Sequence, residues 1–388
     1  MTEITASWAA GLVSAFDLSG IHRVGTPGDF ASGEWLSREA RATGSAVTNM
    51  PVPINLTIVD EAYVECAGLR IDGLPMFDSP PTSAAGVNGK LVACGEAGAI
   101  GYLDLLPNSA SIKGMRFETL RRQSNHAALL VATRVGGESL APINAQYFES
   151  PFGAPVLLVA GTHHAMLADH ARKADPATLI CKHRREPAHS YNVTARVAAG
   201  ADSTPLAILT PRTGWWESTA ERAGGLVAWL AGLFAAAESR EKKQLRRDVH
   251  AFATCGHELG HLGLTALLTQ EARLVRDARC WLHLGANLGC ASNLAMFLRA
   301  SDPLESQRMQ ELLVGEGYPA QFIRIEPISA VSGEGRDLTE HGAQVLSMAG
   351  SNAHFHAASD RWPGNVNAAG IASIARAVAK WVAHHATQ

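Results

Sequence analysis

Apolar and polar positions follow different rhythms in successive parts of the chain. From Ile4 to Ala42 two apolar stretches carry helical spacing, separated by His22-Arg23-Val24-Gly25-Thr26-Pro27-Gly28-Asp29. Gly and Pro punctuate a loop there, and Asp29 is placed to cap the helix through Trp35 and Leu36. From about Leu56 to His189 the apolar runs shorten and are broken by Gly, Pro, Asn and Ser. Val64–Gly68, Gly89–Ala93, Ala99–Tyr102 and Ala154–Val159 read as strands of a small β-rich unit. Farther on, strands at Ser190–Ala195, Pro205–Leu209, Asp248–Cys255, 280–284, 321–326 and 343–347 are interleaved with an apolar helix over Gly224–Ala237, and an amphipathic helix over Val366–Ala383 closes the chain. Strands alternating with helices predict an α/β fold: a mostly parallel mixed sheet sandwiched by helices. A length of 388 residues leaves room for two units, expected at 1–55 plus 190–388, and at 56–189 as a β-rich insert.

Composition narrows the function classes. Hydrophobic residues at 47% and charged residues at 18% describe a globular protein, and a net charge of -3 offers no broad positive field, so nucleic acid is not an expected partner. The basic run Arg240 to Arg247 reads as a solvated helix end. The first twenty residues lack a basic start, and no apolar run approaches the roughly 20 residues that span a bilayer, so no membrane partner and a cytoplasmic location are expected. The six cysteines show no CxxC spacing and fit reduced, packed thiols.

In such sheets functional groups collect beyond the carboxyl ends of the strands. His257-Glu258-Leu259-Gly260-His261 follows a strand there. It fits the HExxH pattern, in which two histidines one helical turn apart bind zinc, but strand-then-glycine entry favours a loop over the required helix. His283 ends a strand, as a hydrogen-bonded core histidine or a ligand. His354 and His356 precede the last helix, while His163, His164 and His170 read as surface residues of the insert.

Several motifs carry a resemblance. Arg23, Gly25, Thr26 and Gly28 are similar to an R-x-x-G-T/S-x-G loop, with one residue fewer after the arginine. Glu258-Leu259-Gly260-His261-Leu262-Gly263 and His356-Ala357-Ala358-Ser359-Asp360 keep further spacings. Together they resemble the zinc-dependent aminopeptidase family that includes aminopeptidase Y, glutamate carboxypeptidase and the glutaminyl cyclases, and the insert resembles a protease-associated domain. The resemblance implies a zinc-exopeptidase-like fold and two metal positions. Here the first ligand loop, Thr210-Pro211-Arg212-Thr213, has lost its histidine and aspartate. Glu221 stands for the bridging aspartate, His257 for the base and His283 for the second aspartate, while Glu258 and His356 match ligands. One metal position is thus implied, with Glu221, Glu258 and His356 holding zinc, or manganese or iron, and leaving a coordination position open for water. His257 is then the proton acceptor, and Arg212 an anchor for a substrate carboxylate beside the apolar walls Trp215 and Trp216. Arg222, His261, His283 and His354 stand behind the ligands or against the substrate. The expected function is a metal-dependent hydrolase cleaving an amide or other C–N bond in a small, carboxylate-bearing substrate, with a homo-oligomer left open. An aminopeptidase, a catalytically silent binding protein and a redox-metal enzyme are the alternatives.

Overall fold

The computed structural model describes residues 3–388 apart from 112–113, 115, 136–138, 201–203 and 293–294. Fourteen strands form one connected sheet: β1 (Ala46–Cys66), β2 (Leu69–Asp72), β3 (Leu74–Pro75), β4 (Val87–Ala93), β5 (Ile100–Leu105), β6 (Ala128–Thr133), β7 (Val156–Ala160), β8 (Pro176–Val197), β9 (Leu206–Pro211), β10 (Val249–Thr254), β11 (Cys280–Leu284), β12 (Met296–Ala300), β13 (Ile323–Ile325) and β14 (Val345–Gly350). Their spatial order is β13-β12-β14-β11-β9-β10-β8-β4-β5-β6-β7-β3, with β1 on β8 and β2 on β1. The central four, β14, β11, β9 and β10, are mutually parallel, flanked by antiparallel β12 and β8.

Strand β9 explains why this centre is parallel. All six of its residues are buried, as in a strand covered on both faces. Its side chains divide with the two-residue period of a strand: Leu206 and Ile208 pack with the helices Ala6–Asp17, Thr219–Glu241 and Ala368–Ala386, while Ala207 and Leu209 join the opposite core containing Leu264, Leu267, Val275 and Leu338. The helix Thr219–Glu241 extends past the predicted Gly224–Ala237 at both ends, and β12 lies where the sequence pattern suggested no strand.

The segment expected to be β-rich also contains helices. Strands β4, β5, β6 and β7 pair in parallel, which requires crossover connections, and the helix Arg116–Gln123 lies between β5 and β6. That helix is too polar to stand out in the apolar pattern. Strands β1 and β8 form a long antiparallel ribbon, from Ala46 opposite Arg196 to Cys66 opposite Ala177, bulged between Val59 and Glu61. One end of the ribbon borders β10, and the other carries β4, so a single pair of strands links the central sheet to the strands of 56–189. The six cysteines are free, and no described helix is long and apolar enough to cross a membrane.

Close backbone approach sets the position of the helix Thr219–Glu241. A Cβ on Gly224 would lie 1.5 Å from the carbonyl oxygen of Leu288. Gly224→Ala is therefore expected to destabilise the protein by about 1–3 kcal/mol or more. Gly11→Ala, in open space within the helix Ala6–Asp17, is expected to stabilise it by about 0.5–1 kcal/mol. Urea unfolding of the two variants beside the parent checks both signs.

Candidate active site

The carboxyl ends of the parallel strands converge on a buried cluster of charge. Glu221 and Arg222 stand in the first turn of the helix after β9. The start of that helix is held by Asp360, whose carboxylate accepts from the Glu221 N–H at 3.0 Å and whose carbonyl accepts from Thr219 at 2.9 Å. Asp360 belongs to the loop that presents His356, so one connection registers the helix and the imidazole together. His356 has a left-handed backbone at φ 62°, a conformation that non-glycine residues adopt rarely and often at functional sites.

Glu221 is the centre of the cluster. Arg222 Nη2 lies 2.6 Å from its Oε1, and His356 Nε2 lies 3.5 Å from the same oxygen. Burial pushes the Glu221 carboxyl up, but Arg222, then His356 and His257, hold it down to about 2. The Arg222–Glu221 contact is a close ion pair without hydrogen-bond alignment. Both Glu221 oxygens, Arg222 Nη1 and Nη2, and Nε2 of His356 and of His283 lack hydrogen-bonded partners.

Imidazole–carboxylate pairs stand beside this centre. Gly256, at φ 67°, turns the chain out of β10 into a short 3-10 turn, which aims His257 Nδ1 at Glu334 Oε1, 3.2 Å away. Thr254 donates to the other Glu334 oxygen at 2.7 Å. Burial, followed by Arg222 and His261, holds the His257 imidazole well below its usual range, so the ring is neutral near pH 7. His261 Nδ1 donates to Asp337 at 2.7 Å, and its ring stacks on His257 at 4.6 Å. His283 Nδ1 is paired with Ser347 Oγ at 2.8 Å, and burial pushes this imidazole down to about 4.

Several sequence expectations are corrected by this geometry. Glu258 does not join Glu221 and His356: its Oε1 accepts from the Val24 N–H and its Oε2 from the Thr213 hydroxyl, both at 2.7 Å. Arg212 is not free to anchor a substrate. Its guanidinium sits 2.5 Å from Asp29 Oδ1 and donates to the carbonyls of Asp29 and Tyr191 and to Ser190 Oγ, so its donor edges are consumed inside the protein. Trp215 forms no wall of an open cleft: it is buried among Val24, Phe77 and Phe148 and donates to Asn144 at 2.9 Å, with Trp216 packed against the same group. His354 turns to Ser359, leaving His356 as the imidazole at Glu221. The HExxH helix does not form, because Gly260 and His261 are both left-handed.

The same contacts test whether a metal fits. Glu221 and His356 supply two donors, but Arg222, already a cation, stands against the carboxylate, and the third expected donor, Glu258, faces Val24 and Thr213. Among the described residues no three His, Cys, Asp or Glu side chains are grouped to hold an ion. The residues, as arranged, do not fit one. Glu334 and Asp337 escaped the sequence reading because Gly333-Glu334-Gly335-Arg336-Asp337 looks like the start of an exposed acidic helix.

Solved structures share this architecture over nearly the whole length of both chains. Over 98% of this chain and 95% of the other, it superimposes on BSAP, a zinc aminopeptidase from Bacillus subtilis, with a TM-score of 0.75 at 14% identity. A peptidase M28 precursor from Shewanella amazonensis SB2B gives 0.72 at 17% identity over 98% and 93% of the two chains. The fold is that of the zinc aminopeptidases. An aminopeptidase from Aneurinibacillus sp. strain AM-1 agrees, at 0.70 and 11% identity over 99% and 94%. No family model and no curated protein matches the sequence itself. At these identities the aminopeptidase fold is what is shared, and the side chains at its strand ends are this chain's own.

Segment 141–148 roofs the site. Its Pro142 carbonyl accepts from His356 Nδ1 at 2.7 Å, and its Ala145 N–H donates to the Glu258 carbonyl at 2.8 Å. His257 is left 9% exposed, and Glu221 and His356 less.

Two stability measurements follow. Arg212→Met leaves Asp29 as an uncompensated buried charge and is expected to lower the unfolding free energy by about 3–5 kcal/mol in urea titrations. Glu258 is pushed up to about 7 from 4.5, burial outweighing its hydrogen bonds. A carboxyl raised on folding stabilises the native state below its unfolded pKa and loses that contribution as pH rises through the folded value. Between pH 5 and 8 the stability of the parent relative to Glu258→Gln should therefore fall by roughly 2–3 kcal/mol.

Proposed function

We propose that the chain is a hydrolase that cleaves an amide or related C–N bond of a small molecule in the crevice at the strand ends, with His257 as the proton acceptor. The observation that carries this reading is the Glu334–His257 pair: with Nδ1 donating to the carboxylate, Nε2 is left as the acceptor on the ring of the cluster that keeps the most exposure. The aminopeptidase fold supports the hydrolase class by analogy.

The pair suits activation of water. A water proton passes to His257 Nε2 as the water oxygen adds to the substrate carbonyl or amidine carbon, and the same proton then goes to the departing nitrogen as the C–N bond breaks. Glu334 orients the ring and balances its transient positive charge, and Thr254 in turn holds Glu334. The buried surroundings strengthen these charge interactions. We further infer that 1–55 with 190–388 form the catalytic unit and that 56–189 is an insert governing access. A cavity of about 440 Å³, lined by Leu106, Arg134, Asn352 and Phe355, suggests a route, since the Phe355 ring stacks on His356 at 3.8 Å.

A catalytically silent binding role is the second reading, favoured by the closed roof over 141–148. Hydrolysis of a panel of N-acyl and aminoacyl amides decides between them. Turnover is expected, with kcat reduced roughly hundredfold or more in His257→Ala and in the same direction by Glu334→Gln. Because His257 is held well below its usual range, kcat/KM should also persist at pH values where an ordinary imidazole is protonated. A chain that turns over nothing in the panel, or in which both variants match the parent, defeats the hydrolase reading.

A further inference from the structure

Arg222 is the feature of the crevice that its fold does not explain. It is fully buried, and Nε donates to the Thr213 carbonyl at 2.6 Å, which fixes the plane of the guanidinium. Nη2 stands 2.6 Å from Glu221 Oε1, yet Nη1 and Nη2 are without hydrogen-bonded acceptors, as are both Glu221 oxygens and His356 Nε2. Glu258 faces Val24 and Thr213 and is not grouped with Glu221 and His356 as a third donor. A guanidinium keeps its charge at any working pH and presents paired donors in one plane.

We infer that Arg222 is the built-in cation of this crevice, standing in for a divalent metal, and that Nη1, the end of the guanidinium not taken by Glu221, takes an anionic oxygen of the ligand. This deepens the hydrolase reading and rests on it for one step: as water adds to the carbonyl carbon, the electron pair of the C=O bond moves to oxygen. That oxyanion lies on Arg222 until the C–N bond breaks and the carbonyl re-forms. For a carboxylate-bearing ligand that is only bound, the guanidinium donates to the carboxylate instead.

Metal content tests the inference without any substrate. Full-length chain purified from cells supplied with zinc, manganese and iron is expected to carry far less than about one ion per chain by elemental analysis, with a Tm that moves with neither EDTA nor added zinc. Arg222→Glu removes the competing cation and adds a third donor beside Glu221 and His356, and should gain zinc binding, read as a zinc-dependent rise in Tm. Arg222→Lys, which keeps the charge, should stay insensitive. Parent protein that holds about one ion per chain, and loses Tm or activity when chelator strips it, overturns the inference whether or not the variants fold. A chain with no metal and no turnover defeats only the hydrolase reading, whereas turnover that requires zinc defeats only the role of Arg222.

Discussion

A guanidinium taken out of water must have carboxylate or carbonyl oxygen around it, and the functional end of this sheet is organised by two of them. Arg212 and Arg222 are both fully buried, a few residues apart in sequence, with opposite degrees of commitment. Arg212 is saturated by Asp29, Ser190 and Tyr191, and so ties the opening loop to the inner strand β8. The same loop carries Val24, whose N–H holds Glu258, so one ion pair fixes the loop that takes Glu258 out of the crevice. Arg222 retains unpaired donors beside a carboxylate that is equally unsatisfied. Buried polar atoms without partners are costly, which marks this spot as one shaped for something other than stability.

The architecture was legible because its signals are large and local. A six-residue strand buried on both faces, such as β9, reads as a continuous apolar run, and the helix that follows declares itself through a long stretch of Ala, Leu, Val and Trp. The helix Arg116–Gln123 and the strand β12 were not legible: one is polar along most of its length and the other too short to separate from its surroundings. Nothing in the sequence revealed the ribbon of β1 and β8 either, since antiparallel pairing over so many residues depends on partners more than a hundred positions apart.

The candidate site was legible in part. The four-residue interval from His356 to Asp360 has a physical basis: Asp360 receives the backbone of the helix that carries Glu221, so the spacing brings His356 to that carboxylate. The direction of a side chain leaves no such trace. Glu258 follows His257 directly, yet turns to Val24 and Thr213 while its neighbour turns to Glu334. The sequence pointed to Arg212 rather than Arg222 as the free cation, because Asp29, which takes up Arg212, lies far from both along the chain.

The contact between Pro142 and His356 couples two properties that are usually separate. By accepting from Nδ1, the carbonyl fixes the orientation of the ring, and Nε2 faces Glu221 as a result. The backbone that supplies this carbonyl is also what shuts the crevice. Any molecule that enters by displacing segment 141–148 also releases the ring of His356, so admission and the geometry around Glu221 change in a single event.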